Sequence, residues 1–307
     1  MRFWPRKPKL SIVVIAYKMP DQAERTLYSL SPAYQQGVSA DDYEVIMVEN
    51  HSEQLLGQAR ATQYAENVRY FHRHETQRSP VPAINFGAAK ACAPHLAIMI
   101  DGARMLSPGV VRLALDAFAL NPEAAVSAPG YHLGHKLQQI AVNEGYDEHA
   151  EATLLASINW PEDGYRLFDI AVLSGSCQGG FFQANYESNF IALSVKKWRA
   201  LGGMDTRYDN FGGGNANLDL YKRLLEYPNT PLYLLYSEGS FHQFHGGVTT
   251  GTRKAERDVV YKQLDEQDKR IRGDNRLPPN VRPILFGPAH PCVHRFMRHS
   301  LDRVQPA

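Results

Sequence analysis

The chain has 307 residues, with 33 Lys and Arg against 32 Asp and Glu, a formal net charge of +1. That length supports a sizeable core, either one large domain with an appendage or two small domains, and the even charge balance argues against nucleic acid or another acidic polymer as partner. Three cysteines, Cys92, Cys177 and Cys292, stand far apart with no CxxC spacing, which excludes a disulfide framework and a thiolate zinc site and suits a reduced, cytoplasmic setting.

The opening "MRFWPRKPKL" places Arg2, Arg6, Lys7 and Lys9 around Phe3 and Trp4. It reads as a basic solvated tail over 1–9, capable at most of peripheral contact with a membrane surface, because stable anchoring takes a second signal. No apolar run approaches the roughly 18 residues needed to span a bilayer. "LSIVVIAY" (10–17) is an apolar run rich in β-branched residues and interrupted only by Ser11, as expected of a strand covered on both faces. A helix "QAERTLYSL", a second buried strand "YEVIMVEN" (43–50), a helical "EQLLGQARATQYAEN", a short strand "VRYFHR" and a small-residue helix "AINFGAAKACA" follow. "HLAIMID" is the next buried strand, and Ser107 and Pro108 predict the N-cap and first position of the helix "VVRLALDAFAL". This alternation predicts an α/β fold, a Rossmann-like, mostly parallel sheet with helices on both faces. Ligands in such sheets bind outside the carboxyl ends of the strands, where Tyr17, Glu49, Asn50 and Asp101 fall.

From about 128 to 188 the pattern breaks into Gly-, Asn- and aromatic-rich sequence, including "SGSCQGGFFQANYESN", a long loop of the kind that often carries function. Ser194 then predicts the cap of "VKKWRAL", stopped by Gly202 and Gly203. "RYDNFGGGNANLDLYKRL" is a glycine-rich loop entering a helix, and "PLYLLYSEGSFHQFHGG" is a strand ending in two histidines. Alternation along that strand predicts that His242 and His245 face opposite ways, leaving His245 as the one to reach a site. The last segment, 251–307, opens with a charged helix and closes Pro-rich; with few apolar residues it reads as a C-terminal helical arm.

The order of these motifs resembles the inverting family 2 glycosyltransferases of GT-A fold over residues 10 to about 250. "LSIVVIAYKMPDQAERTLYSL" is similar to that family's first strand and helix, "YEVIMVENHS" to the second strand, and "AINFGAAKACAPHLAIMIDGA" to the asparagine-bearing helix and the strand leading to a DxD motif. "NFIALSVKKWRALGGMDTRYDNFGGGNANLDLYKRL" is similar to the acceptor-side elements and the helix bearing a Glu-Asp pair. The resemblance implies a nucleotide-binding half over 10–127, an acceptor half over 128–250, and a UDP- or GDP-sugar donor. It implies donor contacts at Ala16, Tyr17, Glu49, Asn50, Asn85, Asp101, Gly102, Ala103 and Arg104.

Two departures fall on functional places. The DxD triplet is Asp101, Gly102, Ala103, and the Glu-Asp pair is Ala216 and Asn217; an asparagine amide takes no proton at neutral pH. Asp101 with His245 or His242 can hold Mn²⁺ or Mg²⁺, or Arg104 can touch the diphosphate directly without a metal. Beside Asn217, the base candidates are Asp219, the nearest acid, and His245. The expected activity is transfer of a sugar to an acceptor hydroxyl, on a glycan or small metabolite, with inversion. The competing readings are a catalytically degenerate nucleotide-sugar or glycan-binding protein and, disfavoured by the absence of a glycine-rich phosphate loop in "AYKMPDQAE", a nucleotidyltransferase.

Overall fold

β1 (Leu10–Ala16), β2 (Tyr43–Asn50) and β3 (Val68–Arg73) alternate with α1 (Pro20–Ser29), α2 (Gly57–Ala61) and α3 (Val81–Ala89), and β4 (His95–Met99) follows. This is a computed structural model describing residues 7–247, 254–273 and 279–304; the tail residues Arg2, Phe3, Trp4 and Arg6 lie outside the described residues. The chain continues through β5 (Arg104–Leu106), α4 (Val110–Leu120), β6 (Ala125–Ser127), β7 (Gly130–Leu133), α5 (Gln138–Ala141) and α6 (Glu148–Ile158). Next come β8 (Ala171–Leu173), β9 (Ile191–Ser194), α7 (Val195–Ala200), α8 (Ala216–Leu225), β10 (Leu232–Leu234) and β11 (Ser240–His242). α9 (Lys254–Arg272), β12 (Ile284–Leu285) and α10 (His294–Val304) close the chain.

The central sheet has eight strands in the order β12, β10, β6, β9, β4, β1, β2, β3. All its pairs are parallel except those of β9, which runs antiparallel to β4 and β6. β1 explains the layering. Leu10, Ile12 and Val14 join a core with Ala23 and Leu27 of α1 and Val111 and Ala114 of α4. Val13 and Ile15 join a second core with Ile84 of α3 and Leu220 and Leu224 of α8. A strand packed by helices on both faces must be largely apolar, its buried Ser11 hydroxyl donating to the Glu44 carboxylate of β2 at 2.6 Å, and the GT-A expectation of an α/β sheet covered on both sides is met. A second sheet, in the order β5, β11, β7, β8, carries a third core in which Tyr131, Phe168 and Phe241 meet Phe296 of α10. The C-terminal segment therefore packs back on the fold, and β12 extends the central sheet beside β10. Among the described residues no helix is long and apolar enough to cross a membrane.

Two local expectations change. The helix expected over "EQLLGQARATQYAEN" shrinks to α2, because the Glu49 carboxylate accepts from the N–H groups of Leu56 and Gly57 and fixes its start there. Ser107 does not cap α4: its hydroxyl donates to Glu238, and Glu238 also accepts from the N–H of Gly109, the residue before the helix. Ser194 does cap α7, its oxygen accepting from the N–H of Lys197 at 3.2 Å.

Gly102 marks where β4 leaves the sheet beside the end of β1. A Cβ there would stand 2.6 Å from the Ile15 carbonyl oxygen, a backbone atom with no room to withdraw. Gly102→Ala is expected to cost about 1–3 kcal/mol through overpacking, read as a lower urea midpoint with an unchanged slope; an unchanged midpoint would show that the strand ends can separate.

Candidate functional site

A cleft of about 660 Å³ opens at the carboxyl ends of β1, β2 and β4. Tyr17, Asn50, Asp101 and Arg104 line it from the first half of the chain, and Glu187, Asn217, His242 and His245 from the second. Tyr261 and Leu264 of α9 add an apolar wall.

Asp101 follows β4, where the apolar run ends and side chains meet solvent. One carboxylate oxygen accepts from the N–H of Ala103 at 2.9 Å, which locks the turn. The other lies 3.1 Å from His242 Nε2 and 3.3 Å from His245 Nε2, and the two imidazole nitrogens are 3.2 Å apart. Both histidines thus reach Asp101, contrary to the strand-alternation expectation. The reason is that β11 ends at His242: Glu151 accepts the N–H of Phe244 at 2.7 Å, and the chain folds back to return His245 to the same side.

Donors about 2.1 Å from one ion, at angles near 100°, stand about 3.2 Å apart. The Asp101, His242 and His245 atoms form a triangle of that size. Gln138 Oε1 faces His242 Nδ1; with the amide oxygen accepting there, Nδ1 carries the hydrogen and Nε2 keeps its lone pair for a ligand. Burial and the Arg104 guanidinium push His242 down to about 3, so it is neutral. Burial opposes charge on Asp101, but His245 beside it holds its carboxyl well below the usual range. Burial likewise opposes protonation of His245, and the Asp101 charge outweighs it and raises that pKa.

Arg104 is not a solvated residue before a helix. It is 7% exposed, its Nε and Nη1 have no hydrogen-bond partner among the described residues, and Asp101 lies 3.7 Å from Nε. A buried guanidinium stays charged and carries a fork of donors, so the cleft holds unspent donors suited to an anion.

The other expected contacts fare differently. Ala16 and Ala103 are core residues, and Gly102 is the backbone contact described above. Glu49 is fully buried and saturated by Leu56, Gly57 and the Tyr70 hydroxyl. Asn85 clamps Met204 through its amide oxygen and nitrogen, at 3.0 and 2.9 Å, tying α3 to the turn after α7. Asp219 is absent from the cleft wall. Its carboxylate is bound at 2.7 Å by Arg223 and at 2.6 Å by Arg272, which joins α8 to α9.

Asn217 does line the cleft, and its amide donates to Glu187 at 2.9 Å and to the Ser188 carbonyl at 3.1 Å. Glu187 was invisible in the sequence because it stands in an aperiodic loop thirty positions before Asn217. The acid missing at 217 was the only hint that another must be nearby.

A family model described as Glycosyl transferase family 2 matches residues 11–187. Among solved structures, the fold is similar to the crystal structure of S. aureus TarS at TM-score 0.53 and 10% identity, covering 85% of this chain and 43% of that one. The crystal structure of S. aureus TarS 1-349 is similar at TM-score 0.51 and 11% identity, covering 87% of this chain and 73% of that one. At such identities the likeness is of fold alone, and this chain spans less than half of the first structure. No curated protein matches.

Two outcomes test the polar framework. Burial raises Glu151 from an ordinary 4.5 to about 7, against the opposing hydrogen bonds from Phe244 and Tyr146. The unfolded chain therefore loses this proton first, and stability falls as pH rises from 4.5 to 7. Glu151→Gln should lack that fall, worth at most about 3 kcal/mol, in urea unfolding at several pH values; parallel curves would remove Glu151 as its source. Asp219→Asn, which leaves two arginines short of their carboxylate, should cost about 3–5 kcal/mol in the same measurement.

Proposed function

The chain belongs to glycosyl transferase family 2, and on that premise we propose that it transfers a sugar, a hexose or close relative, from a nucleotide-sugar donor to an acceptor hydroxyl in this cleft. The observation that carries the reading is the buried Arg104, with unpartnered donors, beside the Asp101, His242 and His245 triangle. A diphosphate leaving group needs positive charge placed in advance where its own charge develops.

A divalent ion held by Asp101, His242 and His245 would supply such charge to the departing diphosphate. Two imidazoles shift that donor set away from oxygen-seeking Mg²⁺ and toward Mn²⁺ or a neighbouring transition ion. Arg104 would donate to the same diphosphate oxygens, so the cation after the triplet partly replaces the acid absent at Ala103. Asn50, whose buried side-chain oxygen has no partner among the described residues, and Tyr17, partly exposed, would meet the ribose and base of a UDP- or GDP-sugar.

On the acceptor side we assign the base to Glu187. Its carboxylate, steadied by the Asn217 amide, takes the acceptor's proton as that oxygen attacks the anomeric carbon. The bond from that carbon to the diphosphate oxygen breaks, its electron pair leaves with the phosphate, and attack from the opposite face inverts the configuration. Asp219, bound by two arginines, and His242 and His245, engaged with Asp101, are less suited to that role. The halves 10–127 and 128–250 then serve donor and acceptor, a glycan or small metabolite, and the arm over 251–307 supplies part of the acceptor wall through Tyr261 and Leu264.

A thermal-shift screen of UDP- and GDP-sugars with and without Mn²⁺ tests the donor reading, since a ligand that binds the native state raises its melting temperature. One nucleotide sugar should shift the wild type, and Arg104→Ala should lose the shift; no shift with any donor would overturn the proposal. Glu187→Gln should keep donor binding and melting temperature while kcat drops about 10²–10⁴-fold. Undiminished turnover would remove Glu187 as the base.

A further inference from the structure

We propose a second metal site, separate from the Asp101 triangle: the imidazoles of His51, His72 and His74 bind a zinc-class divalent ion on the rim of the cleft. Strand geometry brings them together. Parallel pairing sets Glu49 beside His72 and Asn50 beside Arg73, so His51, the residue after β2, stands next to the end of β3. Its N–H donates to the Arg73 carbonyl at 2.7 Å. Side chains alternate along an extended strand, so His72 and His74 share a face, while Arg73 points away and lies 4.0 Å from the centre of the Phe86 ring.

The ligand nitrogens of the three histidines all lie within 4.8 Å of one another. His51 Nδ1 and His72 Nε2 are 3.1 Å apart, the separation of two donors on one ion, and the His74 ring stacks on His51 with centroids 4.2 Å apart. A turn of the exposed His74 ring brings its nitrogen to the third position. Carboxylates on the same segments are engaged elsewhere: Glu53 with Lys18, Glu75 with Arg73, and Glu49 at the start of α2. Three imidazole donors without a carboxylate select Zn²⁺, Ni²⁺ or Cu²⁺ over Mg²⁺ and Ca²⁺. All three are exposed, so an ion reaches them without any opening of the fold. Three protein donors leave a fourth position for water or a ligand atom. His51 and Asn50 both line the cleft, as do Glu75 to Arg78 after β3, so the ion would clamp β2 to that loop at the cleft mouth.

Zinc chloride in equilibrium dialysis tests this independently of any transfer activity. The double variant His72→Ala/His74→Ala should bind one equivalent of zinc fewer than the wild type, with an unchanged far-UV spectrum because both side chains are exposed. His245→Ala, which damages the other triangle, should retain that equivalent. Cobalt loading should give visible absorption bands of a low-coordinate site that the double variant lacks. Equal zinc binding by wild type and double variant, zinc loss confined to His245→Ala, or no zinc bound by the wild type would each overturn the proposal.

Discussion

Burial of β1 and β4 on both faces is the constraint from which the rest of the molecule follows. Leu10, Ile12 and Val14 are committed to one core and Val13 and Ile15 to the other, and the one polar side chain within the strand, Ser11, is spent on a buried hydrogen bond to Glu44. Polar chemistry is displaced to the strand ends, where a helix can no longer cover the sheet and backbone groups need new partners. Asp101 stands at that boundary. One of its oxygens completes the turn and the other faces the cleft, so a single side chain serves both the fold and the site.

Placing a carboxylate in such a pocket is costly unless neighbouring groups offset the lost hydration. His245 and Arg104 do so from the loop after β11 and from β5, both at the second sheet or its edge. The site is therefore the place where the two sheets meet electrostatically. Glu151 acts one step behind, holding the Phe244 N–H and hence the fold-back that returns His245 to Asp101. His245 owes its position to a buried acid almost a hundred residues earlier in the chain.

The same logic separates carboxylates that hold the fold from those free for chemistry. Asp219 and Glu49 sit where family resemblance would seek functional acids, yet each is saturated, by two arginines or by helix-start amides and a tyrosine hydroxyl. Glu187 accepts from the Asn217 amide and faces the cleft. A proton acceptor needs a lone pair that no strong cation occupies, and Asp219, held by Arg223 and Arg272, lacks one.

Local sequence determined the elements and their order. Largely apolar runs at 10–17, 43–50 and 95–100 dictate two-sided strands, the Ser194 cap starts α7, and Asp101 is set at a strand's carboxyl end, because these properties depend on neighbours within a few residues. Tertiary structure alone decided that both His242 and His245 converge on Asp101, that Arg104 is buried with idle donors, and that Glu187 rather than Asp219 reaches the cleft. Each of those outcomes depends on hydrogen bonds or ion pairs between residues tens to over a hundred positions apart. No periodicity records such contacts; they exist only once the sheets have packed and the cost of burying each charge has selected its partner.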